Sequence, residues 1–330
     1  MIRVLICLFF AFPAMAQTVS TGAGLRAALQ EASPGAVITL EAGDYGALDW
    51  TGGQGVTLRG QGTFAGFVLR EAQDIRLEGL GFVYAAPAGA PDHVRPFVVE
   101  NSRGVTFDRV RFQGGAKGYG LQVIQSRDVT FQNARVEGFL RGIVVQDSVD
   151  IAILDTEFTG QRSDGLNFAA VQGVTIAGNY IHDFDRDPSA DDHADMIQFW
   201  TRGTATPSRD ITITGNLLDA GGGLWTQSIF MRNEAVEAGA ADMAYRDVLI
   251  AGNTIRNAHL HGITVGQTQG LTIRDNRVLQ RPEAAGGTAN PSLWVPIITV
   301  DPSADDVTIT GNRVAKIAGP AGQVAGNIAP

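Results

Sequence analysis

Three short strings in the middle of this 330-residue chain carry most of its acid–base chemistry: Arg162-Ser163-Asp164, His193-Ala194-Asp195 and His259-Leu260-His261. Similar strings stand at Lys117-Gly118-Tyr119, Phe139-Leu140-Arg141 and Trp225-Thr226-Gln227. Aligned, they give two columns. One holds Lys117, Phe139, Arg162, His193, Trp225 and His259; the other holds Tyr119, Arg141, Asp164, Asp195, Gln227 and His261. A third column, three residues further on, holds Gln122, Val144, Asn167, Gln198, Phe230 and Thr264. His193 is the first choice of general base, because neighbouring Asp195 can orient and polarise it. Lys117 and His261 are further proton-transfer candidates. Arg141 and Arg162 can grip a carboxylate. Tyr119, Gln198, Trp225, Gln227 and His259 complete the expected binding surface. Asp164 and Asp195, in one column, would stand roughly 5 Å apart on adjacent strands. Strict alternation from Leu166 would turn Asp164 inward; a bend at Gly165 is expected to swing it outward.

Residues 183–195 contain six aspartates. Asp183, Asp185 and Asp187 have the alternating spacing of calcium loops, although Pro188 replaces the turn glycine and Ala194 stands where a closing Glu would be. Calcium is the one cofactor this loop calls for, and a solvated acidic loop is the competing reading.

The elements that position these columns follow from a repeat. An apolar-x-apolar string, preceded by a polar or Gly residue, recurs from Val56-Leu58 to Val307-Ile309. The basic step is 22 to 24 residues, with long steps at 182–208, 217–245 and 279–304. Alternation at period two means strands, and three short strands per step leave no room for a helix. Asn179, Asn216, Asn253, Asn276 and Asn312 each lie five residues after the start of their repeat and are expected to stack as a ladder. The long steps should emerge as loops along one face. They carry Trp200, Trp225 and Trp294, whose rings can lie against a sugar. Thr21 to Glu31 reads as an amphipathic helix that caps the open end.

Composition fits this scheme. Apolar residues are 44% and charged residues 18%, and 41 glycines suit many tight turns. The net charge of −9 argues against nucleic acid as a partner. The N-terminus, with Arg3, an apolar run from Val4 to Phe12 and Ala14-Met15-Ala16, reads as a secretory signal peptide cut after Ala16. Its apolar run is too short to span a bilayer. Cys7, the one cysteine, lies inside it, so the mature chain can form no disulfide. The expected organisation is residues 1–16 as signal peptide, 17–36 as capping segment and 37–330 as an all-β parallel solenoid of about ten coils. The product is expected to be monomeric, without membrane insertion, and periplasmic or secreted.

The helix-then-strand opening, TGAGLRAALQE followed by AVITLEAGDY, and the repeat that follows resemble the pectate-lyase-like right-handed parallel β-helix superfamily. The resemblance implies polysaccharide lyases, C5-epimerases, glycoside hydrolases or adhesins. Ser163-Asp164-Gly165, Ala194-Asp195-Met196 and His261-Gly262 are similar to the motifs of polygalacturonase-type hydrolases, with one Asp for two in the second and an extra coil carrying Gln227. Asp192-His193-Ala194-Asp195 is similar to the Asp-Pro-His-Asp of alginate epimerases, without the proline. Family-six alginate and chondroitin lyases place Lys where this chain has Gln125 and Ala170. The expected function is therefore an exported enzyme acting on a uronate-containing polysaccharide by removing the C5 proton, as lyase or C5-epimerase. The alternatives are a glycoside hydrolase using Asp164 and Asp195, and a non-catalytic carbohydrate-binding solenoid.

Overall fold

The computed structural model describes residues 16–187, 189–190, 193–284, 290–319 and 322–330. The expected signal peptide, apart from Ala16, thus lies outside the described residues. Among the described residues no helix is long and apolar enough to cross a membrane. Strands pair in parallel with the strand one coil on. In a typical coil, Arg103–Asp108 pairs with Arg127–Gln132, Arg111–Gln113 with Arg135–Glu137, and Tyr119–Ile124 with Arg141–Gln146. The third kind of strand builds a sheet of eleven, one more than the expected ten coils.

The turn before each repeat explains its polar or Gly residue. Asp74, Asp128, Asp150, Asp210, Asp247 and Asp306 have φ between 50° and 57°, and Gly104, Gly173 and Gly270 take the same place with φ of 65° to 75°. Gly tolerates this left-handed backbone freely, and Asp better than most residues. The next residue can then point straight into the barrel. Rings stack there along the axis: Phe82 lies 5.7 Å from Phe64 and 4.3 Å from Phe112, and Phe168 lies 4.8 Å from Phe199.

The asparagine ladder forms as expected. Each amide oxygen accepts from the backbone N–H and the side-chain Nδ2 of the Asn one coil before; Asn216 meets Asn253 Oδ1 at 3.0 and 2.9 Å. Each Nδ2 also donates to a barrel carbonyl, as from Asn253 to Ile213 at 2.9 Å. The ladder continues one step to Asn327 and is prolonged at its start by Thr156, whose N–H donates to Asn179. At another turn Ser102, Ser126 and Ser148 do the same work with hydroxyls. The cap is the helix Gly22–Glu31, with Thr21 Oγ1 accepting from Gly24 N–H at 3.1 Å and Leu25 and Ala28 buried. Ala16–Val19 adds a strand to the capping segment, paired with Val37–Leu40.

Asn253→Ala would strand the backbone N–H of Asn216 and remove one bond each from Asn216 Nδ2, Asn276 Oδ1 and the Ile213 carbonyl, all buried. A loss of roughly 2–4 kcal/mol in chemical denaturation is expected. A change below about 0.5 kcal/mol would mean that the ladder follows the fold without supporting it.

Candidate functional site

The register brings members of the second and third columns together as the repeat predicted. Tyr119 pairs with Arg141, Arg141 with Asp164, and Asp195 with Gln227. Gln122, Val144, Asn167, Gln198, Phe230 and Thr264 follow one another on the outer face. Asp164 reaches Asn167 of the third column, and its neighbour Gly165 is tightly packed: a Cβ there would meet Met196 O at 2.6 Å and Ile181 on the barrel side. Residues from two of the long steps, Trp200 and Arg202 after the strand Asp195–Phe199 and Glu234 after Gln227–Met231, wall this face.

Between the walls lies a cleft of about 350 Å³ lined by Arg141, His193, Gln198, Trp200, Arg202, Phe230, Arg232 and Glu234, among others. A second lobe of similar size shares Phe230 and Arg232 and runs on past His261, Thr264 and Thr299 to Asp301. Three guanidiniums converge on the first lobe of a chain that is acidic overall. Arg232 is paired with Glu237 at 2.8 Å, and Glu234 accepts from Thr201 N–H at 2.9 Å. Arg202, Phe230, Arg232 and Glu234 were absent from the residues chosen on sequence. Phe230 stood in the third column, and Arg232 lies two residues beyond it; Arg202, two residues after Trp200, left no comparable signal.

His193 stands in this cleft with 55% of its side chain exposed. Its Nε2 lies 3.1 Å from Asp195 Oδ2, and Gln198 Nε2 lies 3.1 Å from the same nitrogen and donates to Asp195 Oδ2 at 2.6 Å. The hydrogen bond to Asp195 raises the imidazole pKa above its ordinary value, against the cost of burial. Asp195 itself is fully buried and is pushed up to about 6, chiefly by burial, with Asp164 adding repulsion. One of its oxygens, Oδ1, has no hydrogen-bond partner. Asp164 accepts from Asp195 N–H at 3.1 Å and from Asn167 Nδ2 at 3.1 Å. Arg141 Nε is ion-paired with it at 3.1 Å, out of line for a hydrogen bond. Burial raises this carboxyl too, against the pull of Arg141.

Several expectations are corrected here. Asp164 and Asp195 turn outward as expected but lie 1% and 0% exposed, roofed by their polar neighbours. They form a layer under the cleft floor, not an accessible carboxylate pair. Lys117 and Arg162 do not line the cleft. Asp92, on the loop after Tyr84, lies 2.8 Å from Arg162 and 3.5 Å from Lys117, and Gly118 N–H fixes that loop by donating to Asp92 O. Tyr119 is buried, with its hydroxyl 3.2 Å from His93 Nδ1. Phe139 has turned into the core. Trp225 packs on His259 at 4.8 Å, apart from both lobes. His259 is buried, accepts from His261 N–H on Nδ1, and is held neutral by burial at a pKa of about 3. Gln227 is 9% exposed beside Asp195. His261 does reach the second lobe, its ring 4.8 Å from Phe230 and its Nδ1 2.8 Å from Thr264 Oγ1, with its pKa lowered by burial.

The described aspartates of the expected calcium loop are placed as follows. Asp183 bonds His182 at 2.7 Å, Asp187 caps Ser189 N–H at 2.8 Å, and Asp185 is exposed. Among the described residues no group of three or more acidic, His or Cys side chains converges for a metal. Asp191 and Asp192 lie outside the described residues.

Asp195 ionises at 3.8 in the unfolded chain and at about 6 when folded. A raised carboxyl favours folding fully below the lower value, and that contribution is lost as pH rises to the upper one. Asp195→Asn should therefore raise the melting temperature near pH 7.5 and change it little near pH 4. An equal or lower melting temperature at the higher pH would show that the ionised carboxylate is well compensated.

The family described as right-handed beta helix region matches residues 97–238. No curated protein sequence matches the chain. PfbA, a surface adhesin of Streptococcus pneumoniae, superposes with a TM-score of 0.65 at 12% identity, covering 92% of this chain and 88% of that one. DFA-IIIase from Arthrobacter chlorophenolicus, in complex with GF2, gives 0.54 at 12% identity, with 92% and 87% covered. An alginate lyase from Paenibacillus gives 0.50 at 13%, with 95% and 99% covered. Identities this low carry the likeness of fold alone. Coil register, the match over residues 97–238 and these neighbours agree on a right-handed parallel β-helix fold.

Proposed function

We propose that the chain is an exported polysaccharide lyase whose outer-face cleft takes a uronate-containing polymer. The observation that carries this reading is a lone half-exposed imidazole, backed by a buried carboxylate, among three arginines and two aromatic walls. Trp200 and Phe230 offer flat faces to sugar rings, and Arg141, Arg202 and Arg232 supply charge for uronate carboxylates. Neutralising that carboxylate makes the C5 proton acidic. Above pH about 6 ionised Asp195 draws the ring proton of His193 onto Nε2. The lone pair on Nδ1 is then free to act as base.

In the elimination, Nδ1 takes the proton from C5. The C5–H electrons form the C4=C5 double bond, and the C4–O bond breaks. The leaving oxygen takes a proton, for which the new imidazolium is the nearest source. Epimerisation needs proton donors on both faces of the sugar. Among the described residues of the first lobe, His193 is the one group suited to proton transfer near neutrality, which favours elimination. A hydrolase needs two accessible carboxylates, and Asp164 and Asp195 lie under the floor.

Incubation with a panel of alginate, pectin, glucuronan and glycosaminoglycans should yield products with the ultraviolet absorbance of the C4=C5 bond. Reducing ends without that absorbance would point to a hydrolase, and binding without product to a carbohydrate-binding solenoid. His193→Ala should cut turnover about a hundredfold or more with the fold intact. Full activity in this variant would remove His193 as base. Because the base must be neutral and its pKa is raised, activity should climb with pH through a midpoint above 6.5. Asp195→Asn removes the cause of the upward shift, so its midpoint should fall; an unmoved midpoint would separate Asp195 from the base.

A further inference from the structure

The outward column changes character along the solenoid. Gln122, Val144 and Asn167, on three consecutive coils, are 1%, 2% and 0% exposed. Gln198, Phe230, Thr264 and Thr299, on the next four, are each partly exposed. An outward side chain on a bare solenoid face stays wet, so the first three coils are roofed. Over Val144 the roof is Trp200, which packs against Tyr119, Leu140 and Val144. Trp200 follows the strand Asp195–Phe199 and reaches back across the preceding coils. It also lines the first lobe. One side of it therefore closes the floor, and another meets whatever the cleft holds. His193 belongs to the first open coil. Toward the N-terminus the floor is closed for three coils, before the partly exposed Val98 and Val68, and toward the C-terminus it is open for four, about 15–20 Å or three to four sugar units.

Resting on the reading of this cleft as a uronate site, the geometry points to a cleft that is blind at its N-terminal end. The reducing-end residue of a polysaccharide chain, which keeps a glycosidic bond at O4, reaches His193 in place of an interior one, and Trp200 is the stop it meets. Arg141 and Arg202 line the same lobe as the stop and can hold the terminal carboxylate. The rest of the chain runs over Phe230 and past His261. Elimination here breaks a C4–O bond near the chain end. Each turnover then releases one short unsaturated unit while the polymer remains long.

The test uses calorimetry on the whole protein with a uronate tetramer, chosen from the polymer that binds. Three forms are compared: unlabelled, carrying a bulky fluorophore at the reducing end, and carrying it at the opposite end. The form labelled at the non-reducing end should bind like the unlabelled tetramer, and the form labelled at the reducing end should lose at least about tenfold in affinity by collision with the stop; the reverse order would overturn the proposal. Trp200→Ala should restore binding of the rejected form, whereas Trp200→Phe should keep rejecting it. Equal binding of both labelled forms to the wild-type protein overturns the blind end, whatever the variants do. No binding of any unlabelled uronate tetramer instead overturns the function reading. The wild-type protein should also give a single short product from the first turnovers. A broad early spread of product lengths would likewise overturn the blind end.

Discussion

A coil of parallel strands can satisfy its polar backbone only through the next coil in register, and the rest of this molecule depends on that constraint. A slip of one residue would turn every inward side chain outward. The chain fixes register at several places in each turn. Asp or Gly takes the left-handed corner before each repeat. Asn179, Asn216, Asn253, Asn276, Asn312 and Asn327 tie corner to corner through their side-chain amides. Phenylalanines stack inside at spacings near that of the strands. Each device is local, yet each repeats along the axis, so an error in one coil would be opposed by both neighbours.

The same register makes a site possible. A residue type placed at one point of the repeat becomes a row on the surface, which brings Arg141, Asp164, Asp195 and Gln227 into line. Rows of this kind are costly when they bury charge. Asp164 and Asp195 both have raised carboxyl pKa values because water is excluded from them. Arg141, Asn167, Gln198 and His193 offset part of that cost and are held in place by it. His193 thereby has a fixed ring on a segment that otherwise lies outside regular structure. The buried layer and the exposed base form one polar network.

The groups assigned from the columns divided according to what the loops did. Lys117 and Arg162 are at the expected points of the repeat, but Asp92 crosses over from a loop about one coil's worth of sequence from the first and three from the second, and pairs with both. His259 is in its column and buried, because Trp225 lies against it. Trp200 was visible as a tryptophan in an insertion; that it lies back over Val144 was not. Arg202 and Arg232 matter only because the insertions bring them to the same cleft. In each case the deciding contact joins an irregular segment to the regular barrel.

By itself the sequence determined the parallel solenoid, its capping helix, the asparagine ladder and the outer-face row from Gln122 to Thr264. These rest on periodicity, and a period read along the chain becomes a position in space once coils stack at a constant spacing. The tertiary structure alone decided which column members meet solvent. It put Asp164 and Asp195 under the floor, left His193 in the cleft and closed the floor at Trp200. Those outcomes depend on where loops 84–96 and 200–208 and the residues His193 and Ala194 come to lie, which no period fixes and whose contacts join residues far apart in sequence. Local pattern carries no information about such contacts, because their energy comes from surfaces that exist only after the barrel has formed.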